Sequence, residues 1–412
     1  MSIVKNMIQA SFDVKSECCG CEACVQVCSK KAISMSEDEE GFRYPIVNPE
    51  ICNDCGMCER VCQYIVPVKK NFDIQFAFGG HIKDEKTLNE STSGGAFSAI
   101  VEVFCDKDYV IFGAETEGLK VWHSYIEDKN ELHKFRRSKY SQSIIGNSYF
   151  EVRDFLKAGK KVVFSGTPCQ IAGLKSYLKE KKYKGQLLTV EVVCEGVPSP
   201  LYIRKMNDYY EEKGKGKIVH LDYRYKDTDK WDFQVMKIKT LSTPHQIPIY
   251  KDFKYDRWFN PFWSIWLQHL MSRPACYNCL YTTNNRVADI TLGDLWGVHI
   301  YCPDLYHSNR GSSLIVTNTE QGHKIVTQAL ETNFSGRELQ FEQALKYQGP
   351  MRKSINMNPS RELFMSDLKI MDYKVLCNKW AVKPSLKLLI SKYIYGTNRQ
   401  VVWWWHLKNS FK

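Results

Sequence analysis

The chain has 412 residues, of which 43% are hydrophobic and 25% are charged, a balance typical of folded proteins. Its formal net charge is +11, but no recognised nucleic-acid-binding motif accompanies that charge, so we expect no nucleic-acid partner. No apolar run approaches the roughly 20 residues that span a bilayer. The first ten residues lack the apolar core of a signal peptide, and we therefore expect a cytoplasmic protein whose thiols stay reduced.

Near the start of the chain, eight cysteines form two runs with the spacing C-x-x-C-x-x-C-x-x-x-C. The runs are Cys18, Cys21, Cys24 and Cys28, followed by Cys52, Cys55, Cys58 and Cys62. This is the ligand pattern of bacterial ferredoxins with two 4Fe–4S clusters, in which three closely spaced thiolates bind one cluster and the fourth binds the other. On that rule the first three cysteines share a cluster with Cys62, and the three from Cys52 to Cys58 share one with Cys28.

Two other uses of clustered cysteines fit less well. Zinc sites favour paired C-x-x-C knuckles or Cys/His mixtures, and no histidine occurs before His81. Disulfide frameworks belong to secreted chains. The proline that commonly follows the last cysteine of each run is replaced by Ser29 and Gln63, and Cys19 fits no ligand position, so we interpret Cys19 as a bystander.

After the second run, IQFAFGGH predicts a strand, and NESTSGGAFSAIVEVF predicts a helix that ends near Phe104. Polar residues at 91–93 are favourable helix N-caps, and Gly94 and Gly95 open the turn. A glycine-rich helix N-terminus suits an anion such as a pyrophosphate. An ordinary tight turn is equally consistent with these residues.

The middle of the chain alternates strands and helices. Residues 109–116 and 121–128 read as paired strands, and 162–164 and 186–194 as buried strands separated by a helix with an apolar face. This order predicts an α/β core with at least one parallel strand pair. A two-stranded hairpin is predicted at 219–240.

A second set of thiols follows these strands. Cys169 and Cys194 come directly after neighbouring strands, and Cys276 and Cys279 form a C-x-x-C pair. Loops at the carboxyl ends of parallel strands converge, so these four thiols can supply a third 4Fe–4S cluster. A nucleophilic Cys169, a redox-active dithiol or buried structural cysteines remain open as alternatives.

Several segments, in order, resemble the beta subunit family of coenzyme F420-reducing hydrogenases and F420-linked dehydrogenases. They are STSGGAF (91–97), RSKYSQS (137–143), VVFSGTPCQIAGLK (162–175), CEGVPSP (194–200), CYNC with ADITLGDLWG (276–297) and NRGSSLIVTNTEQG (309–322). The resemblance implies FAD and a nearby 4Fe–4S cluster with Cys169, Cys194, Cys276 and Cys279 as ligands. Glu195 departs from the family, which usually has histidine there, so the chemistry at this position is expected to differ.

The resemblance also implies which residues surround the flavin: Ser93, Gly94, Gly95, Lys139, Tyr140, Thr167 and Gln170. The predicted fold class is α/β (α+β) and multidomain, with a small ferredoxin-like domain before an α/β flavin-binding core that contains a mixed sheet. The predicted divisions are a two-cluster ferredoxin-like domain (1–70), a flavin-binding part (71–155), a part with the inner cluster and flavin crevice (156–350), and a basic, Trp-rich tail (351–412).

The tail has a composition that fits two roles. Residues 371–412 contain eight Lys or Arg residues against one Asp, and Trp403, Trp404 and Trp405 are consecutive. We favour a helix packed on the main domain with a solvated basic face. The same composition is typical of a segment that contacts an acidic partner or an anionic membrane, which would place the protein at the inner membrane face.

Two hypotheses describe the function. We favour an iron–sulfur flavoprotein oxidoreductase in which reduced ferredoxin supplies electrons through the 4Fe–4S clusters and FAD to an unidentified small organic acceptor. The alternative is an electron-transfer subunit of a hydrogenase- or dehydrogenase-type complex without an organic substrate of its own. A redox-sensing or structural cluster protein would leave the flavin-like segments unexplained.

Overall fold

The computed structural model describes residues 15–71, 75–179, 181–226, 235–255 and 259–390, together with residues 407 and 410. The strands are β1 Ile33–Glu37, β2 Arg43–Val47, β3 Phe76–Ile82, β4 Tyr109–Glu117, β5 Lys120–Ile126, β6 Lys161–Gly166, β7 Gln186–Val192, β8 Lys217–Asp222, β9 Met236–Ser242, β10 Ile249–Tyr255, β11 Ile290–Asp294, β12 Ser313–Thr317 and β13 Phe334–Leu339.

The α-helices are α1 Ala23–Val27, α2 Met57–Arg60, α3 Glu85–Glu90, α4 Ala96–Phe104, α5 Ser148–Lys157, α6 Pro168–Leu178, α7 Pro200–Glu212, α8 Pro261–Trp266, α9 Pro274–Tyr277, α10 Val298–Tyr301, α11 Glu320–Thr332, α12 Phe341–Lys346, α13 Arg361–Ile370, α14 Tyr373–Trp380 and α15 Leu386–Ile390. Short 3-10 helices cover Lys15–Glu17, Lys129–Phe135, Pro244–Gln246, Pro303–Asn309 and Gly349–Met351.

An eight-stranded mixed sheet forms the centre of the described structure. Its strand order is β13-β3-β12-β11-β7-β6-β4-β5. The four central strands β4, β6, β7 and β11 run parallel to their neighbours in that group, whereas the flanking pairs are antiparallel. The predicted α/β class and its parallel strand pair are therefore confirmed.

Helices cover both faces of this sheet because its central strands are apolar on both sides. In β6, Val162 and Phe164 point towards α5 and α6, and Val163 packs with α4 and α11 on the opposite face. All three side chains are fully buried. A continuous apolar run is the expected pattern for a parallel strand covered on two faces.

The N-terminal domain packs on the face formed by α5 and α6. Its β1 and β2 form an antiparallel hairpin. Two of its apolar side chains, Ala23 and Val61, are buried in the same cluster as Ile171 and Leu174 of α6. The small domain thus shares a hydrophobic core with the large one.

A second, three-stranded antiparallel sheet has the order β10-β9-β8. The hairpin predicted at 219–240 corresponds to β8 and β9, with residues 227–234 outside the described part. Strand β10 was not predicted, since most of its side chains are exposed and its alternation of apolar and polar residues is weak. This sheet packs with α7, α8 and α13 around the buried Trp263 and Trp266.

The predicted N-caps at 91–93 do not cap the following helix. Helix α4 begins at Ala96 after Gly95, which has a φ of 76° and provides no side-chain cap. Ser93 Oγ instead donates to the Ser312 carbonyl at 2.7 Å. The turn is therefore held by contacts with the chain before β12.

No helix in the described ranges is long and apolar enough to cross a membrane. The tryptophans predicted to form part of a basic tail, Trp403, Trp404 and Trp405, lie outside the described residues. The two short helices before them, α14 and α15, belong to the part of that tail which is described.

Gly94 offers a test of how closely the glycine turn approaches the sheet. A Cβ at this position would lie 2.4 Å from the Gly80 carbonyl oxygen and 2.5 Å from the Ser313 amide nitrogen. Because both obstacles are backbone atoms, we expect Gly94→Ala to lower the free energy of unfolding by about 1–3 kcal/mol. At Gly349, a Cβ would meet nothing within 4 Å, so Gly349→Ala is the matched control.

Urea titration followed by circular dichroism measures this difference. An unchanged unfolding midpoint for Gly94→Ala would contradict the close approach. A comparable loss in both variants would instead point to a general cost of replacing glycine.

Candidate functional site

Five cysteines of the N-terminal domain line one cavity. Four of them, Cys18, Cys21, Cys24 and Cys62, are the set that the ferredoxin rule groups together, and the fifth is Cys19. Burial raises the pKa of Cys24 well above its usual value and raises the pKa of Cys62 to about 11. A buried thiol of high pKa keeps its proton unless a metal replaces it, and this donor set is one that an iron–sulfur cluster takes.

Among the other N-terminal ligand cysteines, Cys55 is exposed, whereas Cys28, Cys52 and Cys58 are half-buried like the first four. The Ala32 amide donates to Cys28 Sγ at 3.3 Å. One end of the domain is therefore open to solvent, while the end with Cys18 and Cys24 faces the large domain.

The four thiols predicted to form an inner set also surround a single cavity. Cys169 lies in the first turn of α6, directly after β6, and Cys194 follows β7. Cys276 lies on α9, and Cys279 is three residues further along the chain. Because β6 and β7 are parallel neighbours, their following loops open at the same edge of the sheet and bring the first two thiols together.

Cys19, a bystander by its spacing, lies between the two sets. It lines both cavities, and its side chain hydrogen-bonds to Cys169 and to Cys21. The bystander interpretation rests on ligand spacing, which carries no information about contacts with the large domain. The structure thus places the Cys19 sulfur between Cys21 of the N-terminal set and Cys169 of the inner set.

Hydrogen bonding and burial shift the inner thiols in opposite directions. The pKa of Cys169 is lowered to about 7, mainly because the Cys19 thiol donates to it, with a further contribution from the Thr167 hydroxyl. Burial raises the pKa of Cys276 to about 12 and that of Cys279 to about 11. Among the described residues, no group of three His, Cys, Asp or Glu side chains is placed to hold a single metal ion.

Charged side chains line the inner cavity beside these thiols. Arg273, Arg286 and Lys353 are cationic, and Glu195 is acidic. Burial raises the pKa of Glu195. Because Arg286 is also paired with the buried Glu191, Arg273 and Lys353 against Glu195 leave a small excess of positive charge. That excess favours an anionic occupant, as a cluster with four thiolate ligands would be.

Buried contacts fix the N-terminal domain against this cavity. Arg273 donates to the Cys18 carbonyl, to Gln142 Oε1 and to the Arg43 carbonyl, each at 2.8 Å. Its guanidinium also lies over the ring of Tyr44, 4.3 Å from the centroid. Both cysteine sets are therefore held in one rigid arrangement.

The residues predicted to surround a flavin fall along one loop and its two ends. Ser93, Gly94 and Gly95 form the turn before α4. The loop 137–143 contacts this turn where the Ser138 amide donates to Thr92 Oγ1 at 2.9 Å. At its other end, Gln170 Nε2 donates to Ser143 Oγ at 2.8 Å.

Thr167 and Gln170 form a capping box at the start of α6. Both side chains therefore stabilise the helix that presents Cys169, and Thr167 also lines the inner cavity. The structure brings these two residues close to the thiols.

Lys139 and Tyr140 lie in the middle of the same loop. Lys139 Nζ donates to the Arg136 carbonyl at 2.8 Å, and burial lowers its pKa to about 8. Tyr140 packs edge-on against Trp263 and Trp266, with ring centroids 4.8 and 5.1 Å away. Neither residue contacts the glycine turn directly in the hydrogen bonds described.

Two further cations, Arg224 and Lys226, lie beside the loop 137–143 and the glycine turn. Arg224 forms a buried ion pair with Asp294 at 2.5 Å and hydrogen-bonds to Tyr140. Lys226 Nζ donates to the carbonyls of Leu88 and Ser93, at 2.7 and 2.9 Å. The signal available in the sequence was their alternation in YRYK directly after β8, which no motif identifies.

Burial, together with the nearby Arg137 and Arg310, lowers the pKa of Lys226 to about 7. Three of the cations around the glycine turn are paired with carboxylates: Arg137 with Asp222, Arg224 with Asp294 and Arg310 with Glu85. Lys226 adds a fourth positive charge when it is protonated, and in that state the site favours an anion.

Comparison with known proteins places these features in a family. Residues 159–336 match the family described as the C terminus of the coenzyme F420 hydrogenase/dehydrogenase beta subunit, and residues 17–66 match the 4Fe–4S dicluster domain. These matches identify residues 159–336 as a domain of that beta subunit family and residues 17–66 as a 4Fe–4S dicluster domain. The family is one of oxidoreductases.

A curated relative and a solved structure are similar to separate extents of the chain. Ketoisovalerate oxidoreductase subunit VorC of Methanothermobacter marburgensis is 34% identical over 59 residues, which cover 14% of this chain and 75% of that protein. A chain of the F420-reducing NiFe hydrogenase complex from Methanosarcina barkeri is 16% identical, with a TM-score of 0.42, over 76% of this chain and 93% of that one.

Proposed function

We propose that this chain is the electron-transfer subunit of a larger redox complex and passes electrons between its N-terminal clusters and an inner cofactor site. The observation behind the proposal is the contact between the two cysteine sets. The Cys19 thiol hydrogen-bonds to Cys21 of the N-terminal set on one side and to Cys169 of the inner set on the other. Electron transfer between sites this close requires no mobile carrier.

The inner site fits a third 4Fe–4S cluster held by Cys169, Cys194, Cys276 and Cys279, and the adjacent basic turn fits FAD. When bound, the clusters supply one-electron transfer and FAD connects it to two-electron chemistry. The loop 137–143 joins the two regions. Its ends are bonded to the glycine turn and to α6, so it holds the proposed cofactor sites at a fixed separation.

The protein's own residues neutralise charge and exclude water. Arg273 and Arg286 are buried at the inner cavity, where a cation offsets thiolate charge most strongly because the local dielectric is low. The inner cavity is lined mainly by apolar atoms. This lining disfavours water beside the cysteine sulfurs.

Lys226 is the residue we assign to the flavin phosphates. Two of its three donor positions hold the carbonyls of Leu88 and Ser93, and an ammonium has three. Within the described residues, its protonated Nζ therefore has one further donor at the glycine turn, which suits a phosphate at a helix N-terminus.

The subunit hypothesis replaces the single-chain reductase favoured from the sequence. The family is named for beta subunits, and the relative of the N-terminal domain is itself an oxidoreductase subunit. A fused ferredoxin domain serves either hypothesis, because it can exchange electrons with another subunit as readily as with free ferredoxin. Partner subunits, the ferredoxin donor and any small-molecule acceptor all belong to the proposal.

Purification without air tests the subunit role. An affinity-tagged chain expressed in its own host should elute with a second oxidoreductase subunit at a fixed ratio. A 0.5 M salt wash is the control, since it screens contacts that arise only from the net charge of +11. A chain that elutes alone and reduces an organic compound with ferredoxin would instead support the single-chain reductase.

Iron analysis tests the inner cluster. Three 4Fe–4S clusters contain twelve irons, so Cys276→Ala should lower the content from about twelve to about eight irons per chain. Cys276 is preferred to Cys169 because Cys19 is close enough to replace the latter. The control is Cys302→Ala, which removes a thiol buried away from both cavities; eight irons in the wild type would exclude the third cluster.

Flavin titration tests the assignment of Lys226. The deflavinated protein should bind FAD about 10- to 100-fold more weakly as Lys226→Met, because a charge-assisted hydrogen bond is lost. Since burial lowers the pKa of Lys226 to about 7, its ammonium is charged below that pH and neutral above it. Wild-type affinity should therefore fall as the pH rises through 7, and the variant should lose that dependence.

The exposed Lys251 on β10 provides the control for that titration. Lys251→Met removes the same charge far from the glycine turn and should leave both affinity and pH profile unchanged. Equal weakening in the two variants would show that only net charge matters and would remove Lys226 from the site.

A further inference from the structure

Gln63 is the residue that stands where a two-cluster ferredoxin commonly has proline after its last cysteine. It is almost completely buried, with 1% of its side chain exposed. Burying a primary amide is costly unless both of its ends are hydrogen-bonded. Its contacts therefore indicate what this departure from the usual proline provides.

The Gln63 amide is bonded to both cysteine sets. Its Nε2 donates to the Cys169 carbonyl at 2.9 Å, and the Tyr281 hydroxyl donates to its Oε1. Its side chain also hydrogen-bonds to Cys21 of the N-terminal set. Because the donor and acceptor ends have different partners, the amide has a single orientation.

Each partner belongs to a segment that holds inner thiols. Cys169 is an inner thiol itself, and Tyr281 follows Cys279 by two residues. Arg286 Nη1 in turn donates to the Tyr281 carbonyl at 2.7 Å, which fixes that loop. Proline at position 63 would have no side-chain donor or acceptor and would lose all three contacts.

The approach of the two sets at this point is close. At Gly173 of α6, a Cβ would lie 3.1 Å from Cys21 Sγ. A side chain at this position of α6 would therefore require Cys21 or its neighbours to shift. The Gln63 amide lies at this junction, directly after Cys62 and against Cys169.

We propose that Gln63 is a positioning residue for electron transfer between the N-terminal and inner clusters, an inference that rests on the proposed function. Its amide holds Cys21 and Cys169 at a fixed separation and orientation. With 4Fe–4S clusters held by the two sets, the clusters would supply one-electron transfer, and a low-potential one-electron reductant would provide each electron. No bond forms or breaks, and no proton is required.

Gln63→Leu removes both amide functions and keeps an apolar side chain of similar size. We expect full iron content in this variant. The reduced inner cluster should appear about tenfold more slowly after mixing with dithionite, because the hydrogen bonds from Gln63 to the ligand-bearing segments are lost. Freeze-quench EPR measures that rate. It also measures the magnetic interaction between the reduced clusters, which should weaken if their separation changes.

Gln26→Leu is the matched control. Gln26 is also an amide of the N-terminal domain that contacts the large domain, since its Oε1 accepts from the Tyr149 and Phe150 amides at 2.9 and 3.1 Å. Neither partner is a cysteine of the inner set. This variant should lose a comparable docking contact, with the rate and the magnetic interaction unchanged.

Equal slowing in the two variants would show that general docking is responsible and would overturn the proposal. An unchanged rate for Gln63→Leu would overturn it as well. If Gln63→Leu loses iron, Gln63→Met, which matches the length of glutamine, replaces it; iron loss in both would assign Gln63 to cluster retention instead.

The wild-type protein separates failure of this inference from failure of the proposed function. If wild-type protein contains only eight irons, or never shows a reduced inner cluster, the proposed electron path is wrong. The positioning role of Gln63 is then wrong as well. If wild-type protein passes electrons inward and Gln63→Leu does so equally fast, only the inference about Gln63 fails.

Discussion

The buried guanidinium of Arg273 is the interaction on which the arrangement of both cysteine sets depends. A buried cation is tolerated only where its donors are satisfied, and Arg273 satisfies them with the Cys18 carbonyl, Gln142 and the Arg43 carbonyl. Two of these acceptors belong to the N-terminal domain. Undocking that domain would leave the charge without them, so docking and the burial of Arg273 are coupled.

The same residue also positions an inner thiol. Arg273 immediately precedes α9, and its carbonyl accepts from the Cys276 amide at 2.9 Å. Its side chain therefore contacts the strand and loop of the N-terminal set, while its backbone begins the turn that presents Cys276. Arg273 therefore links the two sets and fixes their relative position, although about 250 residues of sequence separate it from Cys18.

How far the sequence could predict this arrangement depends on the range of each interaction. The N-terminal ligand runs are local, and spacing alone grouped Cys62 with Cys18, as the cavity does. The central strands were predictable because burial on both faces requires a continuous apolar run, as in β6. Strand β10 was missed because its exposed side chains impose no such pattern.

Contacts across the domain boundary were not predictable from spacing. Gln63 and Cys169 are 106 positions apart, and Cys19 has no role in either ligand run. The departure from proline at position 63 was visible in the sequence, but its consequence depends on which surface of α6 meets the N-terminal domain. In the same way, Arg224 and Lys226 gain their significance only because β8 ends beside the glycine turn.

The positions of the thiols also give the proposed electron path a direction in space. Cys55 is exposed to solvent, whereas Cys18 and Cys24 lie half-buried at the domain boundary and the inner thiols line a cavity. A protein partner can approach only the exposed end closely, because the large domain covers the other. One-electron exchange with a partner therefore belongs at the Cys55 end, and chemistry that must exclude water belongs at the inner end, where Arg273 and Arg286 are buried. Gln63 lies at the boundary between these two ends, where its amide contacts both cysteine sets. Side chains of the protein therefore control the electron path most directly at this junction.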